Sequence, residues 1–173
     1  MDFVQDFRPA FSELAQKIDR GETTPFPVDK ALLKLENKTR VPILLPSNLP
    51  SLPIDVEHWG INVKASKDEY IVCVGSFPTL QPCERPSIRH FDSISAERNG
   101  KLEKPDWISP RDTFREIELA DGIKGFFYEG CGAYCTSRVQ WKYQGVLYTV
   151  YARFGEQPVL VKIANSAIVA GPR

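Results

Sequence analysis

Apolar residues near the start of the chain recur at three- and four-residue spacing. Phe3, Phe7, Phe11, Leu14 and Ile18 make one stripe, the mark of an amphipathic helix. The pattern predicts a helix over Asp2–Arg20. Pro9 kinks it or delays its start, and Gly21 stops it. Val28–Asn37, with Leu32, Leu33 and Leu35 apolar, reads as a second short helix or an irregular arm. Val41–Pro53 (VPILLPSNLPSLP) carries four prolines, which forbid a regular helix and favour extended chain. Its interleaved Ile43, Leu44, Leu45 and Leu49 suggest a buried connecting segment or an edge strand rather than a ligand groove.

Beyond this point the period changes to two. Trp59, Ile61 and Val63 alternate with polar residues, and Tyr70–Phe77 gives an apolar strand after a turn at Ser66–Asp68. Phe91–Arg98 alternates and is followed by the turn signal Asn99-Gly100. Thr113–Leu119 and Ile123–Tyr128 are further strands. Arg138–Tyr143 and Val146–Phe154 form the clearest hairpin, joined by Gln144-Gly145. Val139, Trp141 and Tyr143 share one face of it, and Arg138, Gln140 and Lys142 the other. At the end, Pro158 suits a first helical turn. Leu160, Ile163, Ala164, Ala167 and Ile168 then line one helix face, closed by Gly171-Pro172. The order of helix, strands, helix predicts an α+β fold: an antiparallel meandering sheet with one or two N-terminal helices and a C-terminal helix on one face. The expected organisation is an N-terminal arm over residues 1–40 and a single domain over 41–173.

The chain of 173 residues is long enough for one hydrophobic core. Its 22 basic and 22 acidic residues cancel, which argues against a nucleic-acid partner, since phosphates select clustered basic surface. No window approaches the ~20 apolar residues that span a bilayer, so no transmembrane segment is expected. The first residues lack the basic and apolar regions of a signal peptide. Met1 is nevertheless the only methionine, and the expectation is the mature part of an exported protein.

Four cysteines stand at 73, 83, 131 and 135, which permits two disulfides in three connectivities. Neither pair has zinc-knuckle spacing or a nearby histidine, and Cys131–Cys135 is one residue too long for a thioredoxin-type motif. Local disulfides, reduced structural thiols and a metal site all remain open, with disulfides the best fit to the spacing. Disulfides would place the protein in an oxidising compartment, the periplasm or cell exterior.

Six motifs in order carry a resemblance. They are VPILLPSNLP (Val41–Pro50), SAER (Ser95–Arg98), GIKGFF (Gly122–Phe127), CGAYC (Cys131–Cys135), WKYQGVLY (Trp141–Tyr148) and IANSAI (Ile163–Ile168). Together they resemble a group of exported bacterial proteins of uncharacterised function, found for instance in cyanobacteria. More distantly, a glycine followed by Trp141-x3-Gly145-x2-Tyr148 and a helix with Ala164-x-Ser166 resembles an uncharacterised extracytoplasmic domain of some bacterial anti-sigma factors. The resemblance covers Val41 to Arg173 and implies export, with Cys73 bonded to Cys83 and Cys131 to Cys135. It brings no catalytic residue.

Candidate chemistry is sparse. His58 and His90 lack an accompanying nucleophile motif and read as surface or strand-end histidines. Glu116, Glu118, Asp121 and Glu129 are close in the chain, and only in space would two of them form a hydrolytic pair. No phosphate-binding or dinucleotide motif is present, and no cofactor or metal is implied. The aromatic set Phe126, Phe127, Tyr128, Trp141, Tyr143, Tyr148 and Tyr151 is expected mainly to pack across strands, with an exposed binding face as its functional alternative. The candidate contact residues are Gly132, Ala133, Tyr134, Trp141, Tyr143 and Tyr148. The function expected is a non-enzymatic exported binding domain for a protein partner or an envelope polymer. Its specific form is an immunity or inhibitor protein against a cell-wall-degrading enzyme. A sensory domain of envelope signalling and a carboxylate-dependent glycan hydrolase are the alternatives.

Overall fold

The computed structural model describes residues 20–50, 59–76, 93–102, 104–153 and 155–173. Residues 2–19 of the expected first helix lie outside these, as do His58, Cys83 and His90. Strand β1 (Thr23–Pro25) leads into helix α1 (Val28–Leu35), and β2 (Asn48–Pro50) pairs antiparallel with β1, Thr24 opposite Leu49. Seven strands follow: β3 (Trp59–Ser66), β4 (Glu69–Ser76), β5 (Ser93–Arg98), β6 (Thr113–Glu118), β7 (Lys124–Cys131), β8 (Cys135–Tyr143) and β9 (Val146–Arg153). They form one antiparallel sheet in the order β3-β4-β5-β9-β8-β7-β6. Helix α2 (Gln157–Ala170) closes the chain. The fold is α+β, as the periodicities predict.

The order refines the expected meander. Two local meanders, β3-β4-β5 and β6-β7-β8-β9, meet along β5 and β9. The Asn99-Gly100 turn does form, with Asn99 in the left-handed region at φ 61°, yet it opens no hairpin. The Asn99 amide donates instead to Gly145 O, in the β8–β9 turn, at 3.0 Å. The chain then runs to the far edge of the sheet before entering β6.

Alternation decides which face is buried. Val63, Val72, Ile94, Val150, Val139 and Phe127 lie opposite one another across six strands, and Ala65, Tyr70, Ala96, Tyr148, Trp141 and Gly125 form the neighbouring row. Except for Val63 and Ala65 at the β3 edge, these residues are buried. Helix α2 lays Val159, Leu160, Ile163, Ala164, Ala167 and Ile168 against this face, packing on β8 and β9. Pro158 occupies its first turn and Gly171, φ 73°, ends it. Phe26, Ala31 and Leu35 join the same core, so the described part of the expected arm is integral to the domain's interior. Helix α1 lies against β3, where Lys34 Nζ donates to Ile61 O.

The proline-rich segment is buried, with Val41, Leu44, Leu45 and Leu49 all nearly inaccessible. Side chains satisfy its backbone. The Tyr70 hydroxyl accepts from Leu44 N and donates to Leu44 O, each at 3.0 Å. The Tyr148 hydroxyl donates to Pro42 O at 2.8 Å, and Ser166 Oγ accepts from the amides of Ser47 and Asn48. Burial pushes both phenols well above the ordinary tyrosine range, so they remain protonated donors. Replacing Tyr70 by Phe strands the Leu44 amide and carbonyl together in apolar surroundings. Tyr70→Phe is therefore expected to lower the unfolding free energy by about 1–3 kcal/mol, read as an earlier urea midpoint at unchanged m-value.

Candidate functional site

The β7–β8 hairpin ends in three residues, Gly132-Ala133-Tyr134, held between two bonded sulfurs. Cys131 and Cys135 are the last register pair of the two strands and form a disulfide with their Cα atoms 4.1 Å apart. The expectation of a local disulfide is met here. Cys73 is also disulfide-bonded, and its expected partner Cys83 lies outside the described residues. Gly132 N donates to Tyr134 O at 3.1 Å inside the loop. All three loop residues are exposed, and Tyr134 keeps 41% of its surface in solvent.

Neighbours brace this tip. The Arg153 guanidinium stacks on the Tyr134 ring, 3.5 Å from its centroid. Asp112, just before β6, accepts the Cys131 amide on Oδ1 at 3.1 Å. Its Oδ2 takes the Tyr128 hydroxyl at 3.0 Å and the Ser109 amide at 3.2 Å. The Tyr128 ring folds over Gly130, where a Cβ would stand only 2.8 Å from the phenol oxygen. Any larger residue there would push the ring from its position against Asp112. Arg138, opposite Tyr128 in the register, lies 4.8 Å over the same ring. The Cys131 amide, with help from Tyr128 and Ser109, holds the Asp112 carboxyl below the usual aspartate range against an opposing push from burial. Burial, then the hydrogen bond to Asp112, pushes the Tyr128 phenol up.

These groups stand mostly on the second face of the sheet, away from α2. Tyr128, Arg138 and Tyr151 are aligned across β7, β8 and β9, with Phe114 next in the row on β6. Phe114 and Phe126 pair with ring centres 4.9 Å apart, and Lys104 reaches over Phe114. Phe127 faces the core.

The six candidate contact residues divide. Gly132, Ala133 and Tyr134 share the stapled tip. Trp141 and Tyr148 have 0% of their surface exposed and stack on each other 5.6 Å apart, so no partner reaches them. Tyr143 is half-buried beside the β8–β9 turn at the opposite end of the hairpin. The physical reason is periodicity: the alternation that unites Val139 and Trp141 turns both inward against α2. The acidic candidates do not converge either. Glu116 and Glu118 are exposed on the second face of the edge strand, and Asp121 is exposed in a 3-10 turn. Glu129 faces the other way and accepts the Ser137 hydroxyl at 3.2 Å. Among the described residues, no three His, Cys, Asp or Glu side chains are grouped as metal ligands would be.

Sequence reasoning missed Asp112, Arg153 and the role of Gly130. Arg138 was placed correctly on the face opposite Trp141, but its meeting with Tyr128 depends on a register that only the folded hairpin defines. A concavity of about 430 Å³ between the β1–β2 pair and α2 was also unforeseen. Two of its polar residues already have structural work: Asn165 accepts the Ala120 amide at 2.7 Å and Ser166 holds the β2 segment. Comparison with protein-family models, with curated proteins and with solved structures found no match to this chain.

Two outcomes follow from the bracing of the tip. Replacing Cys131 and Cys135 together by Ser frees a five-residue loop in the unfolded chain and is expected to cost about 2 kcal/mol, measured by denaturant unfolding. Asp112 has its folded pKa depressed, so its contribution is complete above the unfolded value of about 3.9 and is lost as the pH falls through the lower folded value. The stability difference between the wild type and Asp112→Asn should be constant above about pH 5 and narrow on further acidification, followed by thermal unfolding across that range.

Proposed function

We propose that the protein is an exported, non-enzymatic interaction domain that presents the stapled tip Gly132-Ala133-Tyr134 to a protein partner, in the manner of an immunity or inhibitor protein. The partner class suggested is an enzyme that degrades the cell wall. The observation that carries this reading is the rigid, exposed tip itself. A hairpin end closed by a disulfide, tied through its Cys131 amide to Asp112 and stacked through Tyr134 on Arg153, is ordered before contact. Pre-ordering removes much of the entropy cost of docking, and tyrosine supplies large contact area with few rotatable bonds. A disulfide between neighbouring strands supports export, because such bonds persist in oxidising compartments. The resemblance to exported bacterial proteins supports the same placement.

The test is inhibition. Purified protein is titrated into turbidity assays of peptidoglycan hydrolases of the lysozyme and amidase classes, and a parallel column captures proteins and polymers from envelope extract. The expected result is saturable inhibition of one hydrolase. Tyr134→Ala should weaken it at least about tenfold, as loss of an anchoring interface aromatic does, with little change in melting temperature. No inhibited hydrolase and no retained protein or polymer would sink the proposal.

A further inference from the structure

Among the described residues, Arg138 near the tip has no anionic partner. Arg138 stands on the second face with Tyr128 opposite it on β7 and Tyr151 opposite it on β9. Its guanidinium covers the Tyr128 ring at 4.8 Å. Its Nε is buried and makes no hydrogen bond, and none of the ion pairs among the described residues includes it. The described acids that share this end of the sheet are committed elsewhere. Both Asp112 oxygens are occupied by Cys131, Tyr128 and Ser109, and Glu129 lies on the other face with Ser137.

A half-buried guanidinium loses hydration, and an aromatic face returns only part of that loss. Stacking buries Nε but leaves the terminal Nη edge of the guanidinium plane outside the buried atoms. That edge is a fork of N–H donors shaped for a carboxylate, and the stacked ring fixes its direction. The direction is in turn set from below: the Tyr128 ring folds over Gly130, where a side chain would press on the phenol, and its hydroxyl is tethered to Asp112. Asp112 also holds the Cys131 amide, so the arginine fork and the stapled tip are fixed to one carboxylate.

We infer that Arg138 is the anion-recognition residue of the docking surface and receives an aspartate or glutamate carboxylate from the protein partner, with Tyr128 as its positioning residue. The inference rests on the reading of the stapled tip as a docking element and adds the partner's chemistry: an acidic surface bordering the cleft that takes the tip. A folded protein is favoured over a polymer because the neighbouring tip offers an exposed tyrosine, a side chain enriched at protein interfaces.

The experiment titrates the intact protein with a short polyglutamate peptide and, separately, with polygalacturonate of matched carboxylate content. NMR follows the Nε–H signals of the arginines, and melting temperatures check the fold of each variant. The expected result is a saturable shift of the Arg138 Nε–H with the peptide, weakened by added salt. Arg138→Gln should lower affinity about tenfold or more, the loss expected for a charged hydrogen-bonded pair. Arg138→Lys, which keeps the charge without the fork, should recover only part. Arg115→Gln, an exposed arginine on the opposite side of β6, should bind as the wild type does. An unmoved Arg138 signal, or an Arg138→Gln variant that binds normally, overturns the assignment. Tighter binding of polygalacturonate than of the peptide assigns the fork to a polymer and overturns the protein partner. Peptide binding at Arg138 without inhibition of any hydrolase removes the inhibitor reading and leaves this site standing. Inhibition that survives in Arg138→Gln does the reverse.

Discussion

Residues 41–47 cross the interior without a ladder of their own, and buried backbone outside helix and sheet must find its hydrogen-bond partners elsewhere. Prolines 42 and 46 ease the demand, since they carry no amide to satisfy. The rest is met from every part of the fold. Tyr70 on β4 and Tyr148 on β9 serve Leu44 and Pro42. Ser166 on α2 serves Ser47 and Asn48. Arg98 at the end of β5 donates to Arg40 O while pairing with Asp68. Arg173 donates from its amide to Ile43 O and from its side chain to Leu45 O. The segment ties the sheet to helix α2 and to the chain's last residue.

That convergence gives the sequence motifs a physical meaning. VPILLPSNLP is the buried segment itself, Arg98 of SAER and Tyr148 of WKYQGVLY reach its backbone from the sheet, and Ser166 of IANSAI reaches it from the helix. Residues that must meet in space to satisfy one another are constrained jointly even when they perform no chemistry. These motifs specify a fold. The exposed tip at Tyr134 and the stacked Arg138 owe their positions to that fold.

Much of the architecture was legible because one face of the sheet is buried. Alternation in β3, β5 and β8 and the apolar run of β4 announced strands, and the three- and four-residue spacing in 160–168 announced α2. Less was legible where pairing partners are distant. Nothing local in Thr23–Pro25 marks a strand, because its pairing is with Asn48–Pro50 across α1. The junction of β5 with β9 joins segments far apart in the chain, and turn signals speak only for neighbours. The site was legible in part for the same reason. Cysteine spacing identified the staple, while the aromatic count could not tell Tyr134, on the loop, from Trp141 and Tyr148, which the strand period turns inward. Asp112 left no signal: its role comes from three donors that only the folded chain brings to it.

The joining of two meanders along β5 and β9 also shapes how the chain reaches this structure. Within each meander the strands are neighbours in sequence, so their pairing closes short loops at small entropy cost. The β5–β9 ladder, running from Ser93 opposite Tyr151 to Arg98 opposite Val146, closes a loop that contains the whole second meander up to β9. Long-range closures of this kind set the pace of folding in antiparallel proteins. The hairpin bearing the stapled tip belongs to the locally paired half, so bringing its two cysteines together, four residues apart, closes a far shorter loop than sealing the central ladder does.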